Sequence, residues 1–100
     1  MDKENGMKAL TRYRERIDEV DRRLVRLLNE RTRIVEELGR LKEELELPVY
    51  EPKREDEVYA NIVKSNEGPL PLDSLQRLFE RIVDEMRTLQ HMNRRQRSRD

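Results

Sequence analysis

The stretch that decides the fold is residues 8–47, KALTRYRERIDEVDRRLVRLLNERTRIVEELGRLKEELEL. It contains no proline and a single glycine, Gly39, so no strong helix breaker interrupts it. Apolar residues recur at alternating spacings of three and four, the heptad pattern of helices that pack on other helices. We call these positions the seam: Leu10, Tyr13, Ile17, Val20, Leu24, Leu27, Arg31, Ile34, Leu38, Leu41 and Leu45.

A helix of this length predicts a partner subunit. At about 1.5 Å per residue it extends over roughly 55 to 60 Å, whereas a globule of this size has a radius of gyration of about 13 Å. The chain has 100 residues and 34% hydrophobic content, so its own core is thin. We therefore expect the seam to be covered by a second copy, in an intertwined antiparallel homodimer.

Two further helices complete an all-α, three-helix subunit. LPVYEP at 47–52 ends the first helix, and Pro52 suits the first position of a second helix that runs to Ser65. NEGP at 66–69 stops the second helix, and a third begins near Asp73 as its cap. The residues expected to be buried are Val58, Ile62 and Val63 on the second helix and Leu75, Leu78, Phe79, Ile82, Val83, Met86 and Leu89 on the third.

The same patterns divide the chain into a frayed leader at 1–7, a helical domain at 8–92 and a basic disordered tail at 93–100. Charge is balanced, with 22 basic and 22 acidic residues, which does not favour nucleic acid as a partner. There is no cysteine, no membrane-length apolar run and no apolar leader. The sequence thus predicts a cytoplasmic protein without a nucleic-acid or membrane partner.

Few residue types are available for chemistry. His91 is the single histidine, so the sequence offers no transition-metal cluster and no credible Ser/His or Cys/His pair. Arg31 interrupts the seam, where it either forms an intersubunit salt bridge, sets the register or binds an anion. Arg14 and Lys42 lie on the adjoining stripe and are each either solvated or directed to the same anion.

Three further polar residues extend this set. Gln90 ends the apolar face of the third helix, and Arg54 and Glu55 open the second, where first-turn acids are common. Together these cations, one carboxylate and one amide suit a small dianion that carries a hydroxyl and a neutral oxygen. They do not suit general-base catalysis by arginine, which does not release its proton.

Four segments resemble the all-helical chorismate mutases from about residue 8 to residue 90. They are YRERIDEVDRRLVRLLNERTRIVEELGRLK at 13–42, PVYEPKREDEV at 48–58, GPL at 68–70 and LFERIVDEMRTLQ at 78–90. The resemblance implies an intertwined dimer with two equivalent sites. It also implies an isomerase that rearranges chorismate to prephenate in phenylalanine and tyrosine biosynthesis, without metal or cofactor.

The resemblance implies a role for each polar residue. Arg14 of the other subunit and Arg31 bind the substrate carboxylates. Lys42 contacts a carboxylate and the breaking ether oxygen, and Gln90 donates to that oxygen. The remaining positions are Glu55, which accepts from the substrate hydroxyl, Arg54, which helps to close the site, Glu51, which contributes main chain, and Met86, which stands where many members have serine.

Two other functions fit the same sequence features. One is an isochorismate pyruvate lyase, which shares the helical fold and a similar cationic pocket. The other is a non-catalytic helical dimerisation or regulatory module. The joint presence of Arg14, Arg31, Lys42, Arg54, Glu55 and Gln90 favours the mutase, because a dimer seam alone requires none of them.

Overall fold

The computed structural model of the chain describes residues 2–99, which form three helices. They are α1 (Lys3–Glu44), α2 (Pro52–Ser65) and α3 (Leu72–Arg99). No strand occurs within residues 2–99. The predicted all-α, three-helix chain with a long N-terminal helix is confirmed.

The first helix begins earlier than the sequence predicted. Residues 3–7, expected to be part of a frayed leader, are helical, while Met1 lies outside the described residues. The carboxylate of Asp2 accepts a hydrogen bond from the backbone N–H of Asn5 at 2.8 Å. Because this bond satisfies one of the donors that a helix start leaves unpaired, Asp2 explains the earlier beginning.

At its other end α1 stops at Glu44, three residues before the predicted Leu47. Leu47 N donates to the Lys42 carbonyl at 2.7 Å, and Glu46 N donates to the Glu43 carbonyl at 3.1 Å. Glu46 has a φ of 58°, in the left-handed region. These bonds form the helix-ending turn known as the Schellman motif, with glutamate at the position usually taken by glycine.

The predicted bounds of α2 are confirmed. Pro52 occupies the first turn, and the backbone N–H of Asn66 closes the helix on the Ile62 carbonyl at 3.0 Å. Ile62 is buried as expected, but the prediction for Val63 is wrong, since this side chain is 48% exposed. Val63 follows Ile62 by about 100° around the helix, which turns it away from the packed face.

The third helix is longer than predicted. It begins at Leu72, so Asp73 lies in its first turn and is not its cap. It continues to Arg99, so residues 93–99, expected to be disordered, are helical; Asp100 lies outside the described residues. Arg97 Nε contacts Glu43 Oε2 at the end of α1, and this ion pair gives the tail a packed side.

The chain divides into two compact units, one ending at Arg33 and the other beginning at Ile34. In the second unit α2 packs against α3, and the small core consists of Val35, Val49, Ile62 and Met86. The ten apolar seam residues, nine of them in α1 and Leu45 just beyond its end, are all between 38% and 60% exposed. Within residues 2–99 no helix has the length and apolarity required to span a membrane.

Candidate functional site

Lys42 is the centre of the polar site in the second unit. Its side chain is only 8% exposed, an unusual position for a lysine. Nζ lies 2.7 Å from Glu51 Oε1 and donates to the Val49 carbonyl at 3.0 Å. Both acceptors belong to the segment between α1 and α2, which folds back over the last turn of α1. A buried ammonium is stable here because both contacts are strong and one of them is ionic.

The two contacts of Lys42 use two of the three N–H donors of its ammonium. An ammonium carries three N–H donors, and the two acceptors among the described residues account for two of them. Because these two bonds fix the orientation of Nζ, the third donor points in a defined direction. Lys42 is thus a buried cation whose orientation is fixed by two acceptors.

The side chain of Glu51 binds Lys42 and does not cap α2. Glu51 is the residue that precedes α2, where a side chain ordinarily caps the helix. Its carboxylate makes no such cap and instead pairs with Lys42. The sequence predicted a role for the main chain near Glu51, whereas the structure shows its carboxylate in contact with Lys42.

Gln90 packs against α1 at Gly39. A Cβ placed on Gly39 would lie 3.6 Å from Gln90 Cγ and 4.0 Å from Gln90 Oε1, so the amide side chain crosses directly over the glycine. Gly39 and Lys42 are one helical turn apart and share a face of α1. This contact therefore places Gln90 on the face of α1 that carries Lys42, although a Cβ at Gly39 would make only ordinary van der Waals contact with it.

Buried polar atoms mark the same face of α3. Gln90 Oε1 is buried without a hydrogen-bond partner, and so are Nε and Nη2 of Arg94, one turn further along. Such atoms cost about 1 to 3 kcal/mol each when left unsatisfied. The face that carries the candidate amide is therefore incompletely satisfied within the described residues of a single chain.

Glu55 pairs with a residue of α3. Its Oε1 contacts Nη2 of Arg87, and its side chain is 22% exposed. The guanidinium of Arg87 also lies over the ring of Tyr50, at 4.8 Å from the centroid. Arg54, one residue earlier, is exposed and pairs with Glu57 at 3.2 Å. Of the two charged residues that open α2, only Glu55 is held in place by another element.

The remaining predicted residues fall in different parts of the chain. Met86 is buried on α3, in the second unit. Arg14 and Arg31 belong to the first unit, where Arg14 is exposed and Arg31 is half-buried. The second unit thus holds six of the eight predicted positions: Lys42, Glu51, Arg54, Glu55, Met86 and Gln90.

The sequence did not reveal several residues that support this site. In the sequence Arg87 resembles any other charge on α3, and Val49 is one residue of a turn. No pattern of i, i+3 or i, i+4 spacing reveals a pairing between helices. Their one local signal was the proline-flanked PVYEP segment, whose brevity requires that it fold back on the neighbouring helix ends.

A model of the family described as "Chorismate mutase type II" matches residues 13–91, most of the chain. The chain belongs to the chorismate mutase type II family. Among solved structures, the chorismate mutase from Thermus thermophilus (form II) superimposes with a TM-score of 0.80 at 41% identity, covering 83% of this chain and 94% of that one. Form I of the same protein gives a TM-score of 0.75 at 42% identity, covering 78% and 98%.

Curated relatives include longer proteins. The bifunctional chorismate mutase/prephenate dehydratase of Aquifex aeolicus is 32% identical over 81 residues, which cover 77% of this chain and 22% of that protein. The chorismate mutase of Methanocaldococcus jannaschii is 31% identical over 58 residues, covering 58% and 59%. The chain therefore spans about a fifth of the length of the Aquifex aeolicus protein and over half of the Methanocaldococcus jannaschii protein.

Proposed function

We propose that this chorismate mutase family member converts chorismate to prephenate and acts as a homodimer in phenylalanine and tyrosine biosynthesis in the cytoplasm. The observation that carries the proposal is Lys42, a buried cation whose orientation is fixed by two acceptors. Gln90 lies on the face of α1 that carries Lys42, and both residues fall inside the span that the family model matches.

The reaction requires no acid–base catalysis by the protein. In a [3,3] rearrangement the ether C–O bond breaks as a C–C bond forms, with no covalent intermediate and no proton transfer. The substrate is a flexible dianion, so arginines that hold both carboxylates favour the compact conformer that reacts. Such orientation lowers a barrier by several kcal/mol in well-positioned systems.

Charge stabilisation is assigned to Lys42 and Gln90. Negative charge develops on the ether oxygen as its bond to carbon lengthens, and the third N–H of Lys42 is available to meet it. The amide of Gln90 supplies a second donor. Since the ammonium is already oriented by Glu51 and the Val49 carbonyl, no reorganisation is required when the charge appears.

Substrate recognition is assigned to the first turn of α2. Glu55 accepts a hydrogen bond from the substrate hydroxyl, for which an ionised carboxylate is well suited. Arg54 is exposed at the same turn and closes over the bound dianion. Met86, on α3, supplies an apolar wall.

The carboxylate-binding arginines require a second subunit. Arg14 and Arg31 are separated by about 25 Å along one helix, too far to hold one small molecule. An antiparallel copy brings its Arg14 to the Arg31 and Lys42 of the first chain, and one dyad then creates two equivalent sites. The exposed apolar seam supports this assembly, because a continuous stripe of ten exposed apolar residues is unfavourable in water.

The direct test is to incubate the purified protein with chorismate in the presence of EDTA and to follow substrate loss and prephenate formation by chromatography. We expect conversion without added metal or cofactor. Isochorismate is offered in a parallel reaction. Pyruvate release from isochorismate without prephenate formation from chorismate would indicate the lyase, and inertness toward both would indicate a dimerisation or regulatory module.

A further inference from the structure

Arg87 makes more contacts than any role so far assigned would require. It lies on α3, and its Nη2 pairs with Glu55 Oε1 on α2. Its guanidinium covers the ring of Tyr50 at 4.8 Å, and its Nη1 lies 3.8 Å from Asp84 Oδ1. About one third of its side chain is exposed, so it is more enclosed than Arg81 of the same helix.

These contacts connect two parts of the site. Glu55 is assigned to the substrate hydroxyl, and Tyr50 is the residue between Val49 and Glu51, the two acceptors that orient Lys42. One guanidinium therefore touches both the acid of α2 and the segment that holds the buried lysine. A planar guanidinium does this well, since its edge binds a carboxylate while its face stacks on a ring.

We propose that Arg87 is a positioning residue, which is itself held by the Tyr50 ring and holds Glu55 at the substrate hydroxyl. The inference rests on the proposed function, because it takes Glu55 as the group that binds the hydroxyl. Arg87 acts through Glu55 and does not itself contact the substrate.

The alternative is that Arg87 only ties α3 to α2. A substrate comparison separates the two roles, using chorismate and an analogue in which hydrogen replaces the ring hydroxyl. In Arg87→Met, kcat/KM for chorismate falls about 10 to 100-fold, the equivalent of one charge-assisted hydrogen bond. For the analogue the same substitution lowers kcat/KM much less, because Glu55 has no hydroxyl to bind.

Further variants define which property of Arg87 matters. Arg87→Lys keeps the charge but not the planar stack, so it recovers part of kcat/KM for chorismate. Tyr50→Phe retains the ring and behaves like the unaltered protein, whereas Tyr50→Leu loses activity. The matched control is Arg81→Met, which removes an exposed α3 arginine paired with Glu85 and leaves kcat/KM unchanged.

Failure of the proposed function and failure of the Arg87 inference give different results. If the unaltered protein does not convert chorismate, the proposed function is wrong and this inference is withdrawn with it. If the unaltered protein is active but Arg87→Met behaves like Arg81→Met, or loses activity equally on both substrates, only the positioning role is wrong. NMR of the Arg87 Nε–Hε group checks the geometry without turnover, since loss of the Tyr50 ring in Tyr50→Leu shifts this resonance.

Discussion

Two faces of α1 show the opposite of the usual distribution, in which apolar side chains are buried and charged ones are exposed. On one face of α1, the seam residues Ile34, Leu38 and Leu41 are apolar and between 42% and 59% exposed. On the neighbouring face, Val35 and Gly39 are buried together with the charged Lys42. A single chain thus leaves its apolar face in water and encloses a cation.

Under the proposed function, the two faces of α1 serve different purposes. An exposed apolar stripe along a whole helix indicates a surface that another helix covers. A buried lysine with two fixed acceptors is costly for folding and is retained where a directed charge is useful. We therefore assign the seam to assembly and the Lys42 face to chemistry, and each assignment predicts a separate experimental signature.

The largest effect is expected on the Lys42 face. Lys42→Met keeps much of the buried stem and removes the oriented charge, so kcat/KM should fall by about 10³-fold, the upper range for loss of one such donor. Steady-state kinetics measures this, with circular dichroism to check that the helices are retained. Arg40→Met, an exposed cation on the same helix, is the control and should keep normal kinetics. A modest loss in Lys42→Met would assign the charge to folding alone.

The seam is tested by a charge at its centre. Leu24→Glu buries a carboxylate at the proposed interface, and an unpaired buried charge costs several kcal/mol. We expect a monomer in sedimentation velocity and at least about a tenfold loss of activity. Val25→Glu is matched in exposure, 56% against 51%, but lies off the seam and should remain dimeric. Dimers of normal stability in Leu24→Glu would exclude the seam as the interface.

The sharing of arginines between subunits has a quantitative signature. Arg14→Ala and Arg31→Ala proteins should each be nearly inactive, yet refolding an equal mixture should restore about one quarter of wild-type activity. Random pairing makes about half of the dimers mixed, and each mixed dimer has one intact site. Activity per mole after subunit exchange is the measurement.

A matched mixture provides the control for this complementation. Arg31 and Lys42 are proposed to serve the same site from one chain. A mixture of Arg31→Ala and Lys42→Met should therefore recover nothing, because every site in a mixed dimer lacks one of them. Recovery in this control, or none in the first mixture despite proven exchange, would contradict the assignment of Arg14 to the partner.

The smallest effect is expected in the tail. Removing residues 94–100 deletes Arg97, whose pair with Glu43 is about one third exposed. Partly exposed pairs contribute at most about 1 kcal/mol, so Tm should fall by a few degrees while kcat stays within about twofold. Calorimetry and kinetics on the truncated protein measure both. A large fall in kcat would instead connect the tail to the Lys42 face.

The sequence predicted the fold well where proline and glycine residues mark the ends of a helix. Pro52 and the NEGP turn fixed both ends of α2, because proline and glycine act on the backbone next to them. The ends of α1 and α3 were misplaced. The extended part of α3 carries Arg97, which pairs with Glu43, a residue 54 positions away, and no local composition reveals such a pair.

The candidate site shows the same limit. Lys42 and Gln90 were singled out as polar residues beside apolar faces, but their roles came from the family resemblance, since each alone resembles an ordinary flanking or capping residue. Arg87 was missed, because its meaning depends on Tyr50 and Glu55 from other parts of the chain. The residues assigned to ligand contact belong to a recognisable family motif. The residues that position those side chains can be identified only from the packed helices.

The turn that ends α1 links local unfolding to the charge in the site. The Lys42 carbonyl accepts the N–H of Leu47, and the Lys42 ammonium donates to the carbonyl of Val49. Fraying of this turn therefore releases the main chain and the side chain of the same residue in one cooperative event. In hydrogen-exchange measurements the amide of Leu47 would report how often this turn opens, so its protection factor measures the fraction of molecules in which the backbone around the ammonium is intact.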